Sequence, residues 1–95
     1  MNVGVVGQGF VGTAVYEGLK KHHKLLCYDK NEEVNIKRGG VANLPILARH
    51  SDIIFVCVPT PMEEDGTCYT GYVEEVVKEL DEWANNKIVV IKSTI

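Results

Sequence analysis

The 95-residue sequence predicts an α/β fold, a doubly wound parallel sheet of four strands with helices on its faces. Two observations carry this prediction. Apolar runs alternate along the chain with segments of helical periodicity, and a glycine-rich stretch, GQGFVG, follows the first run. Three of the four runs are almost continuously apolar, which is typical of strands that are covered on both faces of a parallel sheet.

The predicted strands are short, and they are spread over the whole chain. They cover residues 2–6, 24–29, 52–58 and 87–92. A doubly wound sheet of this kind predicts the strand order 3-2-1-4, with a ligand-binding crevice between the first and fourth strands. Residues 1–95 form one domain in this interpretation, with neither an internal repeat nor a low-complexity segment.

Helices are predicted between the strands. Apolar residues repeat at helical spacing over residues 10–22 and again from Val73 to Ala84, where Trp83 is expected in the core and Thr70 is the expected N-cap. The stretch 30–50 is less regular, and a short helix is expected there, starting at Asn43 and Pro45 and running through Arg49.

Composition excludes several classes of function. The net charge is −3 without a basic block, which argues against a nucleic-acid partner. No apolar run approaches the roughly 20 residues of a membrane span, and the N-terminus lacks a secretory pattern. The three cysteines form no C-x-x-C pair, so reduced core cysteines in a cytoplasmic protein are expected, and no metal site.

The glycine-rich stretch has the spacing G-x-G-x-x-G between a predicted strand and a predicted helix. Gly7 permits the sharp turn, Gly9 leaves room for a diphosphate at the backbone, and Gly12 allows close packing of helix and strand. Asp29 ends the second strand, where a carboxylate can accept hydrogen bonds from the adenosine ribose and disfavours a 2′-phosphate. A Rossmann-like NAD site is therefore predicted; a simple turn carboxylate is the alternative for Asp29.

Two further loops are expected at the same end of the sheet. Pro59, Thr60 and Pro61 follow the third strand, where Thr60 offers a hydroxyl, although prolines past a strand are also ordinary loop residues. Thr94 follows the fourth strand, and the predicted topology places its hydroxyl near the nicotinamide.

Four stretches in series, GQGFVG, the terminal Asp29, SDIIFVCVPTP and IVVIKST, resemble the NAD-binding domain of the UDP-glucose/GDP-mannose dehydrogenases. The resemblance covers nearly the whole chain. It implies an enzyme that oxidises the C6 alcohol of a nucleotide sugar to a carboxylate while two hydrides pass to two NAD molecules. In this family the catalytic cysteine and the sugar-binding domain follow the KST strand. The resemblance thus implies a truncated N-terminal portion that is inactive alone.

The resemblance also implies roles for individual residues. Those expected to contact the cofactor are Gly7, Gln8, Gly9, Phe10, Val11, Gly12, Asp29, Val58, Pro59, Thr60, Pro61, Ser93 and Thr94. Thr94 is also expected to assist catalysis by helping to position a water. None of the three cysteines matches the family's nucleophile, and a nucleotide-sugar partner is expected only for a full-length parent.

Other interpretations remain open. A non-catalytic dinucleotide-binding or interaction module suits the short chain, whereas a different dehydrogenase, such as a β-hydroxyacid dehydrogenase, suits CVPTP and KST poorly. The fourth predicted strand lies at the edge of the sheet, where exposed backbone groups can pair with another chain. Self-association through this edge is therefore expected.

Overall fold

A computed structural model describes residues 1–58, 65, 71–83 and 87–92, with the side chain of Phe10 excepted. The elements, in chain order, are β1 (Asn2–Val6), α1 (Phe10–Leu19), β2 (Lys24–Tyr28), α2 (Glu32–Lys37), α3 (Leu44–His50), β3 (Ile53–Val56), α4 (Gly71–Trp83) and β4 (Ile88–Ile91). All the strand pairs are parallel, which confirms the predicted α/β fold and parallel sheet.

The strand order is β2-β1-β3-β4, which differs from the predicted order 3-2-1-4 in the place of β3. Val3 of β1 lies opposite Leu25 of β2 on one side and opposite Ile53 of β3 on the other. Ile54 and Val56 are fully buried on one face of β3, and Ile53 and Phe55 are partly buried on the other. The strand therefore needs cover on both faces and neighbours on both sides. An interior place between β1 and β4 supplies these, whereas the predicted order makes β3 an edge strand.

The connections reverse direction across the sheet next to β1. The chain steps from β1 to β2 through α1, returns past β1 to β3 through α2 and α3, and continues outward to β4 through α4. Right-handed crossovers then place α1 on one face and α3 and α4 on the other. The reversal lies between β1 and β3, so the crevice opens there and not between the first and fourth strands as predicted.

The main core lies between the sheet and the helices α3 and α4, which cover one of its faces. Its buried members are Val6, Leu44, Leu47, Ala48, Ile54, Val56 and Leu80. Gly4 of β1 belongs to the same face, and a Cβ there would clash with Ser51 Oγ and stand 2.6 Å from Leu47 Cδ2. The glycine therefore lets α3 approach the centre of the sheet closely.

The helix ends are set by capping residues and by the positions at which the neighbouring strands begin. α1 ends at Leu19, earlier than predicted, because β2 has to start level with Met1, whose carbonyl accepts from the Lys24 amide at 3.2 Å. The predicted α3 is confirmed, with the Asn43 side chain accepting from the Ile46 amide. Trp83 was expected in the core but is 46% exposed at the last position of α4.

The helix α2 was not predicted. The Asn31 side chain caps it by accepting from the Val34 amide at 3.3 Å. Glu32 and Glu33 lie in its first turn and Lys37 in its last, which suits the helix dipole. These residues are ordinary start and stop signals, and they would have revealed the helix despite its lack of a buried face.

Candidate functional site

The turn after β1 is built by Gly7. Its φ of +93° lies in the left-handed region that side chains disfavour, and a Cβ there would stand 2.6 Å from the carbonyl oxygen of Cys57. The Gly7 amide donates to the Tyr28 carbonyl at 2.7 Å, which ties the turn to the end of β2. The turn is thus held between β2 and the chain leaving β3.

The other two glycines set the space in front of α1. Gly9 is the N-cap of α1, and a Cβ there would have no heavy atom within 4 Å, so the backbone is open to an incoming group. A Cβ at Gly12 would clash with the Gly7 carbonyl oxygen, so only glycine permits this close approach of helix and strand. Amides of a first helical turn have no partner within the helix, and they favour an anion.

Asp29 lies directly beside this turn. Its Oδ2 accepts from the Gln8 amide at 2.8 Å, and its Oδ1 accepts from the Asn31 amide at 2.8 Å. The Asp29 amide donates to Asn35 Oδ1 at 2.9 Å, which holds the residue from the side of α2. Each carboxylate oxygen can accept more than one hydrogen bond, so hydroxyl groups of a ligand remain acceptable partners. The predicted carboxylate and the glycine turn are therefore brought together.

A cleft of about 610 Å³ opens next to the turn, at the carboxyl ends of β1, β2 and β3. Of the residues predicted to contact a cofactor, Gly7, Asp29 and Val58 line it. Tyr28 lines it as well. Sequence reasoning missed the remaining lining residues, which are Val6, Lys30, Asn31, Leu44, Tyr72, Glu75, Val76 and Glu79. The cleft has the size and the mixed apolar and polar lining of a small-molecule site.

One wall of the cleft comes from α4. Tyr72, Glu75 and Glu79 face it at spacings of three and four residues, the helical period that signals one face. Lys30 Nζ lies 3.7 Å from Glu75 Oε2 across the mouth, and both side chains are largely exposed. An exposed ion pair of this kind contributes little stability, so a ligand can displace it at small cost.

The two described cysteines are free, and both are buried. Burial raises the pKa of the Cys57 thiol above its ordinary value, and Lys92 opposes the rise. Burial likewise raises the pKa of the Cys27 thiol, with Arg38 opposing the rise. A raised pKa keeps a thiol protonated at neutral pH, so neither side chain is an activated nucleophile.

Several predicted site residues lie outside the described part of the chain. They are Pro59, Thr60, Pro61, Ser93 and Thr94, together with the side chain of Phe10. The expected N-cap Thr70 and the third cysteine, Cys68, are also outside it. Gln8 is buried beneath the turn and is 6% exposed, whereas Val11 is 46% exposed on the first turn of α1. Their predicted contacts with a cofactor stay predictions.

Comparison with protein families identifies the domain. The model of the UDP-glucose/GDP-mannose dehydrogenase family, NAD binding domain, matches residues 40–95, which is more than half of the chain. The chain belongs to this family. The predicted resemblance is confirmed, and so is NAD as the cofactor of a domain of this kind.

Two curated proteins are similar to the chain in sequence. The chain is 39% identical over 54 residues to the UDP-glucose 6-dehydrogenase TuaD of Bacillus subtilis, an alignment that covers 56% of the chain and 12% of that protein. It is 28% identical over 122 residues to the uncharacterized protein MJ1054 of Methanocaldococcus jannaschii, across 100% of the chain and 14% of that protein. The chain thus spans a small part of both relatives.

Solved structures of nucleotide-sugar dehydrogenases share the fold. A UDP-glucose dehydrogenase from Pyrobaculum islandicum has a TM-score of 0.87 at 21% identity, covering 99% of the chain and 29% of that structure. A GDP-mannose dehydrogenase from Pseudomonas aeruginosa has a TM-score of 0.82 at 22% identity, covering 100% and 29%. The family fold is therefore the one described above.

Residues 1–58, 65, 71–83 and 87–92 contain neither a membrane-spanning helix nor a cluster of metal-binding side chains. No helix in these ranges is long and apolar enough to cross a membrane. No group of three or more His, Cys, Asp or Glu side chains in them is placed to hold a metal ion.

Proposed function

We propose that this chain is the NAD-binding part of a nucleotide-sugar 6-dehydrogenase that oxidises the C6 alcohol of a UDP-sugar to a carboxylate with two NAD molecules. The observation that carries the proposal is the hydrogen bond from the Gln8 amide to Asp29, which joins the glycine turn to the carboxylate ending β2. This joins a diphosphate-binding element to a ribose-binding one.

The residues around the cleft fit the cofactor. Gly7, Gly9 and Gly12 would leave the backbone of the turn accessible to the diphosphate, and Asp29 would accept from the adenosine ribose. Val58, which lines the cleft beside Gly7, would contact the cofactor. When bound, NAD supplies the acceptor for the hydride that leaves the substrate.

The contribution of the remaining family residues follows from the resemblance. Pro59, Thr60, Pro61, Ser93 and Thr94 are proposed to complete the cofactor site, with Thr94 assisting catalysis. We further propose that these 95 residues alone do not oxidise a nucleotide sugar. In support, Cys27 and Cys57 are buried thiols with raised pKa values, and the chain covers 29% of the P. islandicum dehydrogenase structure.

Free, buried cysteines and an NAD cofactor support a place in the cytoplasm, where thiols are kept reduced. The nucleotide sugar is proposed as a partner of a longer parent protein only, and neither nucleic acid nor a membrane is proposed as a partner.

The proposed cofactor site is tested by titrating the chain with NAD by calorimetry. We expect Asp29→Asn to bind NAD about tenfold more weakly, a loss of about 1.4 kcal/mol, because a charged acceptor of ribose hydroxyls is removed. Asp29→Ala should bind at least as weakly. NADP should bind the unaltered chain more weakly than NAD, since Asp29 would repel a 2′-phosphate.

Asp52→Asn is the matched control. The Asp52 carboxylate also accepts from a backbone amide, that of Asn2 at 2.9 Å, but it lies at the opposite end of the sheet from the cleft. Binding by Asp52→Asn should equal that of the unaltered chain. Equal binding by Asp29→Asn and the unaltered chain would contradict the ribose role.

A further inference from the structure

The amide side chain of Gln8 lies beneath the glycine turn and is held at both ends. Its Nε2 donates to the Gly7 carbonyl at 3.1 Å, and its Oε1 accepts from Arg38 Nε at 3.1 Å. Its own backbone is held as well, since the amide donates to Asp29 and the carbonyl accepts from Thr13 Oγ1 at 3.0 Å. Gln8 is only 6% exposed. If Oε1 lost the hydrogen bond from Arg38, water could therefore hardly replace it as a donor.

Arg38 is fastened to α1 by two further contacts. Its Nη2 donates to Glu17 Oε1 at 3.3 Å, and its guanidinium lies over the Tyr16 ring, 5.4 Å from the centroid. The side chain is 27% exposed. Hydrogen bonds from Lys20 and Arg38 hold the pKa of Glu17 below its ordinary value. Arg38 therefore bridges the end of α2, the outer face of α1 and the turn between β1 and α1.

We propose that Arg38 is a positioning residue for the diphosphate-binding turn, acting through the Gln8 side chain without contacting the ligand. This inference rests on the proposed function of the turn. Arg38 holds Gln8, Gln8 holds the Gly7 carbonyl, and the amides that would face the diphosphate keep one arrangement before the ligand arrives. Because the turn is already ordered before the ligand binds, binding does not have to include the free-energy cost of ordering it, and the affinity is higher.

The geometry makes the effect specific to phosphate groups. The Gln8 side chain contacts Gly7, whereas Asp29 is also held by the Asn31 amide and by Asn35 Oδ1, which do not depend on Arg38. The cleft wall made by Tyr72, Glu75 and Glu79 belongs to α4 and is distant in sequence from Arg38. Removing the Arg38 guanidinium should therefore loosen the turn and leave that wall in place. A ligand without a phosphate group should be almost indifferent to the change.

The test compares ADP with adenosine in NMR titrations of the complete 95-residue chain. We expect Arg38→Met to bind ADP about tenfold more weakly, about 1.4 kcal/mol, while adenosine affinity changes less than twofold. Lys37→Met is the matched control, since it removes the same charge from an exposed neighbour on α2 and should change neither affinity appreciably.

A second variant keeps the test decisive if Arg38→Met folds poorly. Arg38→Lys retains the charge but lacks the Nε donor that Gln8 accepts from, and it should also weaken ADP selectively. Adding Gln8→Met to Arg38→Met removes the orphaned oxygen, and this double variant should regain thermal stability without regaining ADP affinity.

Equal weakening of ADP and adenosine by Arg38→Met, or ADP binding unchanged by both Arg38 variants, would overturn the positioning role while leaving the cofactor site intact. Failure of the unaltered chain to bind ADP would overturn the proposed function and this inference together.

Discussion

Gly12 permits the close approach of α1 to the end of β1. A Cβ at this position would overlap the Gly7 carbonyl oxygen, which is backbone and cannot rotate away. We expect Gly12→Ala to lower the free energy of unfolding by about 1–3 kcal/mol, the usual cost of overpacking. Thermal unfolding followed by circular dichroism measures this as a fall in Tm.

Gly18→Ala serves as the control in the same helix. A Cβ at Gly18 would have no heavy atom within 4 Å, so this substitution should stabilise α1 by about 0.5–1 kcal/mol through its helix preference alone. A rise in Tm for both variants would show that the helix approaches β1 less closely than described.

At the scale of the elements, Lys87 joins β4 to the end of α3. Its Nζ donates to the Ser51 carbonyl at 2.6 Å and to the Arg49 carbonyl at 3.3 Å. We expect Lys87→Met to lower the free energy of unfolding in urea by about 1–2 kcal/mol, since hydrogen bonds from a charged donor are lost at a helix C-terminus.

Lys92→Met removes an exposed lysine at the other end of β4 and is the control for that substitution. Its stability should stay within about 0.5 kcal/mol of the unaltered chain, as for most surface changes. The Lys87 contacts would carry no stability if the two variants unfolded at the same urea concentration.

At the scale of the whole molecule, β4 forms an edge of the sheet with apolar side chains in contact with water. Ile88 is 60% exposed and Ile91 is 44% exposed, and no strand in the described part of the chain pairs with β4 on the side away from β3. We expect the isolated chain to self-associate through this edge, because unpaired backbone groups beside apolar side chains favour strand pairing.

Sedimentation at increasing concentration tests this expectation. The unaltered chain should shift toward a dimer, and Ile91→Lys, which places a charge on the edge strand, should shift the transition to higher concentration. Lys24→Met, at the start of β2 on the opposite edge, is a control that should leave the transition unchanged. A monomer at every concentration would contradict self-association.

Much of the architecture was predictable because its signals are local. Near-continuous apolar runs identified the strands, Asn43 marked the start of α3, and the glycine spacing marked the turn before α1. α2 escaped prediction since it buries no side chain, although Asn31 and the charges at its ends are recognisable capping signals. Of the candidate site, the glycine turn and Asp29 were predicted as neighbours.

The wall of the cleft and the support of the turn were not predictable in the same way. Tyr72, Glu75 and Glu79 look like ordinary surface residues of an amphipathic helix until the sheet places α4 beside the cleft. The Gln8–Arg38 hydrogen bond joins residues 30 positions apart. No local pattern pairs an interior glutamine with an arginine at the end of another helix.

The sequence by itself determined the α/β class, the approximate extent of most elements, the glycine turn and the carboxylate beside it, since side-chain periodicity and backbone conformation act over a few residues. Only the tertiary structure decided that β3 lies next to β1, that the crevice opens between them, and that Arg38 supports the turn. These features depend on which faces of the helices and strands pack against each other. That packing involves residues far apart in the sequence, so no local pattern determines it.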